Sequence, residues 1–156
     1  NPAFVKRQMV GVFDKRWLHP FAEALNKMGS TNAWIIHGRD GLDEVSISDI
    51  TDVVQLKNGK ITELSINPEE YGFKRNTIAS IKGGDPKHNA IELRSLLEGK
   101  EGPYKDIVLL NSASALVGSG HEIKFETALL KSKDSLESGK ALNKLQDLIE
   151  ITNIES

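Results

Sequence analysis

Two short apolar runs constrain this chain more than any other feature. Gln8-Met9-Val10-Gly11-Val12-Phe13 and Ala33-Trp34-Ile35-Ile36-His37 are too short for core helices, and their β-branched residues suit a sheet, so both read as buried strands. Between them Trp17, Leu18, Phe21, Leu25 and Met28 recur at helical spacing. Asp14 is placed to cap that segment, Pro20 favours a first-turn position that puts the regular helix start near His19, and Gly29 stops it. Strand, helix and strand over about thirty residues form a βαβ unit. Its strands are expected to run parallel, joined by a right-handed crossover.

The pattern then changes. Val45 to Ile47 is short and alternating. Val53 to Leu56 and Ile61 to Ile66 flank Lys57-Asn58-Gly59-Lys60, and Asn-Gly accepts the positive φ angles of a type I′ hairpin turn. The sheet is therefore predicted to be mixed. Asn67-Pro68 ends the hairpin, and Pro68 to Lys82 reads as mostly irregular. The second half is helical. Gly83-Gly84-Asp85-Pro86 supplies a turn, an N-cap and a first-turn Pro to a helix whose apolar side is Ile91, Leu93, Leu96 and Leu97, ended by Gly99. Tyr104 to Val117 is apolar almost all round in its second half, which predicts a central, buried helix. Gly118-Ser119-Gly120 breaks it. Ile123 to Leu136 and Ala141 to Ile151 read as two amphipathic helices separated by Ser138-Gly139. No repeat or linker divides the 156 residues, and that length suits about one domain. The expectation is a single α/β domain over residues 1–156: a mixed sheet with a βαβ unit and a hairpin, packed by carboxyl-terminal helices.

Composition narrows the function classes. With 38% apolar and 27% charged residues the composition is that of an ordinary globular chain and disfavours disorder, collagen and coiled-coil readings. A net charge of -2 gives no global attraction to nucleic acid or an anionic membrane. The absence of Cys excludes disulfides, thiolate metal sites and a Cys nucleophile, and is compatible with a reducing cytosol. No apolar run approaches the ~20 residues of a membrane span, and no basic segment followed by an apolar run marks a signal peptide. The chain opens Asn1-Pro2-Ala3 without a Met, which points to a piece of a longer protein.

The loop after the second strand is the best candidate for chemistry, because ligands of open α/β sheets bind beyond the carboxyl ends of parallel strands. Residues 39–52 hold Asp40, Asp43, Glu44, Asp49 and Asp52 against Arg39 alone. Carboxylates are hard oxygen ligands, and Mg²⁺ is typically held by one or two of them with waters and substrate phosphates. Asp43 and Glu44 supply such a pair if the loop bends tightly, which Gly38 and Gly41 permit. A solvated loop with Asp and Gly chosen for turns has the same composition, and pattern alone favours it. His37, at the same strand end, suits acid/base work, but a structurally satisfied His is the commoner case. Gly83-Gly84 has the look of a phosphate cradle, yet Asp85 at the cap position would repel an anion, so it reads as a turn. Lys6-Arg7 has a phosphate-contact reading and a more ordinary solvent-facing one. His19, His37, His88 and His121 show no zinc spacing. Ser112 and Ser114 sit among small residues in an apolar helix and read as close packing rather than as nucleophiles. The basic residues of the last two helices alternate with acids, giving a mixed-charge face rather than a nucleic-acid stripe.

These residues resemble a known family. Asn1-Pro2-Ala3, Lys6-Arg7-Gln8 leading into Val10-Gly11-Val12, Glu23-Ala24-Leu25, and above all His37-Gly38-Arg39-Asp40-Gly41-Leu42-Asp43-Glu44 are similar to the middle of anthranilate phosphoribosyltransferase. Gly83-Gly84 with Asn89-Ala90, Asn111-Ser112-Ala113 and Ser138-Gly139-Lys140-Ala141 agree in order and spacing. The resemblance covers essentially this whole chain and a little under half of a family member, the carboxyl-terminal part of its α/β domain. It implies a nucleoside-phosphorylase/phosphoribosyltransferase-like fold. It also implies a cytoplasmic enzyme of tryptophan biosynthesis, with phosphoribosyl pyrophosphate and anthranilate as substrates and pyrophosphate as the leaving group. In the family the Asp-Glu pair binds magnesium, a role that carries over to Asp43 and Glu44. The family's phosphate loop and anthranilate contacts lie upstream of Asn1, as does the helical domain that usually makes a homodimer. No catalytic residue is therefore assigned within this chain, and the piece alone is expected to be inactive. Two rival readings remain, a pyrimidine nucleoside phosphorylase-like enzyme and a non-catalytic metal-binding or interaction module.

Overall fold

The computed structural model describes residues 4–153, so Asn1-Pro2-Ala3 lies outside the described residues. Strands β1 (Arg7–Gly11) and β2 (Asn32–Gly38) pair in parallel, with Val10 opposite Ile35. Strands β3 (Thr51–Lys57) and β4 (Lys60–Ile66) follow antiparallel, giving one sheet in the order β1-β2-β3-β4. The hairpin between them turns on Asn58 and Gly59, at φ 48° and 82°. Positive φ at both central residues is what a type I′ turn requires, and Asn-Gly meets it at low cost. The mixed sheet, the βαβ unit and the hairpin agree with the sequence pattern.

The described residues form five α-helices, of which α1 and α3 pack directly on the sheet: α1 (Leu18–Lys27), α2 (Pro86–Leu97), α3 (Pro103–Gly118), α4 (Phe125–Glu137) and α5 (Lys140–Thr152). Side chains alternate across a strand, so β2 feeds two cores. Ala33 and Ile35 pack with Leu18 and Ala22 of α1 and with Val54 and Leu56 of β3. Trp34 and Ile36 pack on the other face with Leu110 and Ala113 of α3, backed by Ala128 and Leu129 of α4. Each fully buried Ile or Leu in these layers stabilises the fold by about 1.5–3 kcal/mol. The outcome is a sheet between two helical layers, with α3 central and buried as its composition predicts.

Several details differ from the sequence reading. α1 starts at Leu18 behind a 3-10 turn (Lys15–Trp17) capped by Asp14, which accepts from the Arg16 amide at 2.9 Å. Pro20 falls in the first turn, where an N–H would have no intrahelical partner. The buried face of α1 is Leu18 and Ala22, with Leu25 partly covered, whereas Trp17, Phe21 and Met28 are exposed. In α2 Leu96 is buried, but Ile91 and Leu93 face solvent. Val45-Ser46-Ile47 forms no strand and does not alternate, since all three residues are buried. Residues 68–82 include two 3-10 turns, Pro68–Tyr71 and Ile78–Ile81. α5 buries none of its described residues and exposes Leu148, Ile149 and Ile151. Among the described residues no helix is long and apolar enough to cross a membrane.

Candidate functional site

The segment 39–50 leaves the carboxyl end of β2 and returns as β3. Its ends are tied together: Gly38 pairs with Thr51 in the ladder, and the Arg39 amide donates to the Ile50 carbonyl at 2.9 Å. This is the build of a compact Ω-loop. The five carboxylates of residues 39–52, four in this loop and Asp52 in β3, divide into two kinds. Asp40 organises the loop from inside: Oδ2 accepts from the Ser46 and Ser48 hydroxyls, and Oδ1 from the Leu42 amide at 3.2 Å. Burial works to raise its pKa, but these hydrogen bonds outweigh burial and hold the carboxyl below its usual value. Asp52 accepts from Arg39 Nη2 and Lys15 Nζ, both at 2.8 Å. The hydrogen bond from Arg39 leads the causes that hold this carboxyl low, against the opposing effect of burial. Asp49 accepts from the Ile50 amide at 2.7 Å and from Arg75 Nη1 at 3.1 Å. Asp43 and Glu44 are different. Both are exposed, and neither carboxylate has a hydrogen-bond or ion-pair partner among the described residues.

Two contacts outside the loop fix where this free pair stands. Asp43 lies on Gly11, the last residue of β1. A Cβ placed on Gly11 would come 1.7 Å from the Asp43 carbonyl oxygen, so only a glycine admits the loop here. On the other side Asn111 of α3 clamps Val45: its Oδ1 accepts from the Val45 amide and its Nδ2 donates to the Val45 carbonyl, each at 2.9 Å. The pair therefore stands at the carboxyl end of the parallel strands, where open α/β sheets bind ligands. Asp43 borders a recess of about 310 Å³ with Phe13, Trp17 and Phe21. Glu44 borders a neighbouring one of about 290 Å³ with Ile78, Lys82 and Tyr104. Among the described residues no group of three or more His, Asp or Glu is placed to hold a metal. Asp43 and Glu44 border different recesses, and each is a hard-oxygen donor of the kind a magnesium-type ion takes together with waters and phosphate oxygens.

The other candidate residues take structural roles or stand apart. His37 donates through Nδ1 to the Val12 carbonyl at 2.8 Å and ties the end of β1 to β2. Gly83-Gly84 is irregular backbone clamped by Asn89, whose Oδ1 accepts from the Gly84 amide at 2.8 Å and whose Nδ2 donates to the Gly84 carbonyl at 3.1 Å. Lys6 and Arg7 are exposed at the amino end of β1, the opposite end of the strand from Asp43. Ser114 is buried and donates to the Leu110 carbonyl at 2.7 Å, a packing role, and Ser112 lines a groove between α3 and α4. The four histidines lie on separate elements, and His19 contacts Glu63 at 2.6 Å. Gly11 and Asn111 carry no role in the sequence reading. A Gly inside a strand pattern is a signal of close backbone approach. The partner of Asn111 is 66 residues distant, so no local pattern reveals it.

A mixed α/β layer with carboxylates at the carboxyl ends of its parallel strands has the layout in which open α/β sheets bind ligands. The chain belongs to the glycosyl transferase family, a/b domain, whose model matches residues 1–142. It is 45% identical over 152 residues to the anthranilate phosphoribosyltransferase of Rhodopseudomonas palustris (strain TIE-1), a match covering 97% of this chain and 45% of that protein. The enzyme of Azorhizobium caulinodans is 46% identical, with 97% and 44% covered. The chain thus spans under half the length of these relatives. Among solved structures, anthranilate phosphoribosyltransferase from Saccharomyces cerevisiae in complex with PRPP and Mg superposes with a TM-score of 0.84 at 26% identity, covering 92% of this chain and 42% of that one. The enzyme from Thermus thermophilus superposes with a TM-score of 0.79 at 34% identity, covering 88% and 40%.

Proposed function

We propose that this chain is the cation-gripping part of an anthranilate phosphoribosyltransferase, an enzyme of tryptophan biosynthesis. The observation that carries the proposal is the state of the carboxylates of residues 39–52: three are consumed by internal hydrogen bonds and ion pairs, while Asp43 and Glu44 stand free at the strand ends. The yeast relative in complex with PRPP and Mg, and its complex with 4-fluoroanthranilate, support the choice of substrates. In the transfer the bond from the ribose anomeric carbon to pyrophosphate breaks, and its electron pair leaves with the pyrophosphate. The anthranilate nitrogen supplies the pair for the new C–N bond and loses a proton. Asp43 and Glu44 would hold the magnesium, which when bound neutralises charge on the departing oxygens. The Ω-loop fixes the backbone that carries those two carboxylates, through the Asn111 clamp on Val45 and the packing of Asp43 on Gly11.

Groups that bind anthranilate are expected in the part of the relatives that this chain does not span, and the chain alone is expected to be inactive. A cytoplasmic homodimer belongs to the same reading and rests on the family resemblance. The test is product formation by the complete enzyme carrying this segment. Replacing Asp43→Asn with Glu44→Gln is expected to lower turnover of phosphoribosyl pyrophosphate and anthranilate by about 10²–10³-fold. Turnover within twofold of the parent would overturn the reading, and phosphorolysis of thymidine in place of anthranilate transfer would favour a nucleoside phosphorylase.

A further inference from the structure

The acidic pair is held by something other than its own side chains, since neither carboxylate has a partner among the described residues. The next residue in the chain is held firmly. Val45 is buried, and both its peptide groups are satisfied by one side chain, Asn111, which reaches across from the middle of α3. Asn111 is itself fixed, because Nδ2 also donates to the Ile107 carbonyl one turn back at 2.9 Å. A side-chain amide carries both an acceptor and a donor, so it can accept from the N–H and donate to the C=O of the same residue, as a neighbouring strand would. The segment that carries the pair is thus pinned to two different layers, Asp43 itself on Gly11 of the sheet and Val45, the residue after Glu44, on α3.

We propose that Asn111 is a positioning residue that sets the direction of Glu44, and through it the grip of the acidic pair on a divalent cation. The proposal rests on the cation reading above and adds to it a residue that touches no substrate. Partners that orient metal ligands are worth about 10- to 100-fold in metal affinity. A rigid anchor one peptide away is expected to fall near the lower figure.

Asn111→Ser separates positioning from packing. A serine in this helix can bond the carbonyl four residues back, as Ser114 does to Leu110 and Ser132 does to Ala128, but it is too short to reach Val45. The helix-side bond is kept and both loop bonds are lost. The experiment uses the complete enzyme carrying this segment, with Mn²⁺ as the probe and inorganic pyrophosphate present. Binding is followed by water-proton relaxation, and amide hydrogen exchange is read at Val45 and along α3. The expected result is a roughly tenfold weaker Mn²⁺ affinity in Asn111→Ser, with faster exchange at Val45 and unchanged protection in α3. Glu44→Gln is run beside it. If Glu44→Gln weakens Mn²⁺ binding and Asn111→Ser does not, the positioning role is wrong while the cation site stands. If neither variant changes the affinity, the cation reading falls and this proposal falls with it. Should Asn111→Ser lose protection throughout α3, Asn111→Gln is the second variant. It keeps the amide but displaces it by one methylene, and native Mn²⁺ affinity in that folded variant would also overturn the proposal.

Discussion

Gly11→Ala is the sharpest perturbation that the geometry allows. One added methyl would stand 1.7 Å from the Asp43 carbonyl oxygen and 2.6 Å from its carbon, where contacts under 3.0 Å essentially never occur. The obstacle is backbone, so no rotamer change relieves it. The loop must retreat by more than an ångström, yet the Asn111 clamp on Val45 and the Asp40 web hold it from behind. Overpacking of this kind costs about 1–3 kcal/mol, and a doubly anchored loop belongs at the upper end. For a domain of this size about 3 kcal/mol lowers Tm by roughly 6–12 °C. The acidic pair rides on the displaced segment, and a misplacement of about 1 Å costs roughly 10²-fold in rate. Thermal melting followed by circular dichroism, with turnover of the complete enzyme, reads both effects. A Gly11→Ala protein that melts within a degree of the parent and turns over normally would refute the close-approach argument.

The remaining predictions concern the hairpin and the acid range. Gly59→Val places a β-branched residue at φ 82° and is expected to cost at least about 1–2 kcal/mol, read by urea denaturation; an unchanged midpoint would contradict the turn assignment. Asp40 and Asp52 have pKa values lowered in the folded state. Their contribution to stability is therefore present above the unfolded carboxylate value of about 3.9 and is lost as pH falls through the lower folded values. Stability measured in urea is expected to be nearly flat from pH 7 to 5 and to fall below about pH 4. Asp52→Asn is expected to shallow that fall while costing at most about 1 kcal/mol at pH 7, because Lys15 and Arg39 keep 66% and 48% of their side-chain surface in water. An acid limb identical in Asp52→Asn and the parent would show that the ion pairs contribute nothing.

Local chemistry made the fold legible. Val-rich and Ile-rich runs bounded by caps and glycines announced β1, α1 and β2, and Asn58-Gly59 announced the hairpin. Periodicity misled where a helix carries apolar residues on more than one face. Trp17, Phe21 and Met28 fit the α1 spacing yet face water, and two of them border the recess beside Asp43. Val45 and Ile47 gave a strand-like pattern because the chain is buried there, but the Asn111 side chain, the Thr51 hydroxyl and the Asn76 amide, rather than a ladder with a neighbouring strand, meet its hydrogen bonds. Over residues 39–52 the sequence shows five carboxylates and cannot sort them. Which are spent on Arg39, Lys15, Arg75 and two serines depends on where distant segments fold, as does the Asn111 clamp.

The most direct measurement locates the ion itself. The complete enzyme carrying this segment, crystallised with Mn²⁺ and pyrophosphate, yields an anomalous scattering map. A peak within ligand distance of the Asp43 and Glu44 carboxylates, bridging to the diphosphate, is the predicted result. A bound manganese coordinated by other residues, with both of these carboxylates turned to solvent, would contradict it.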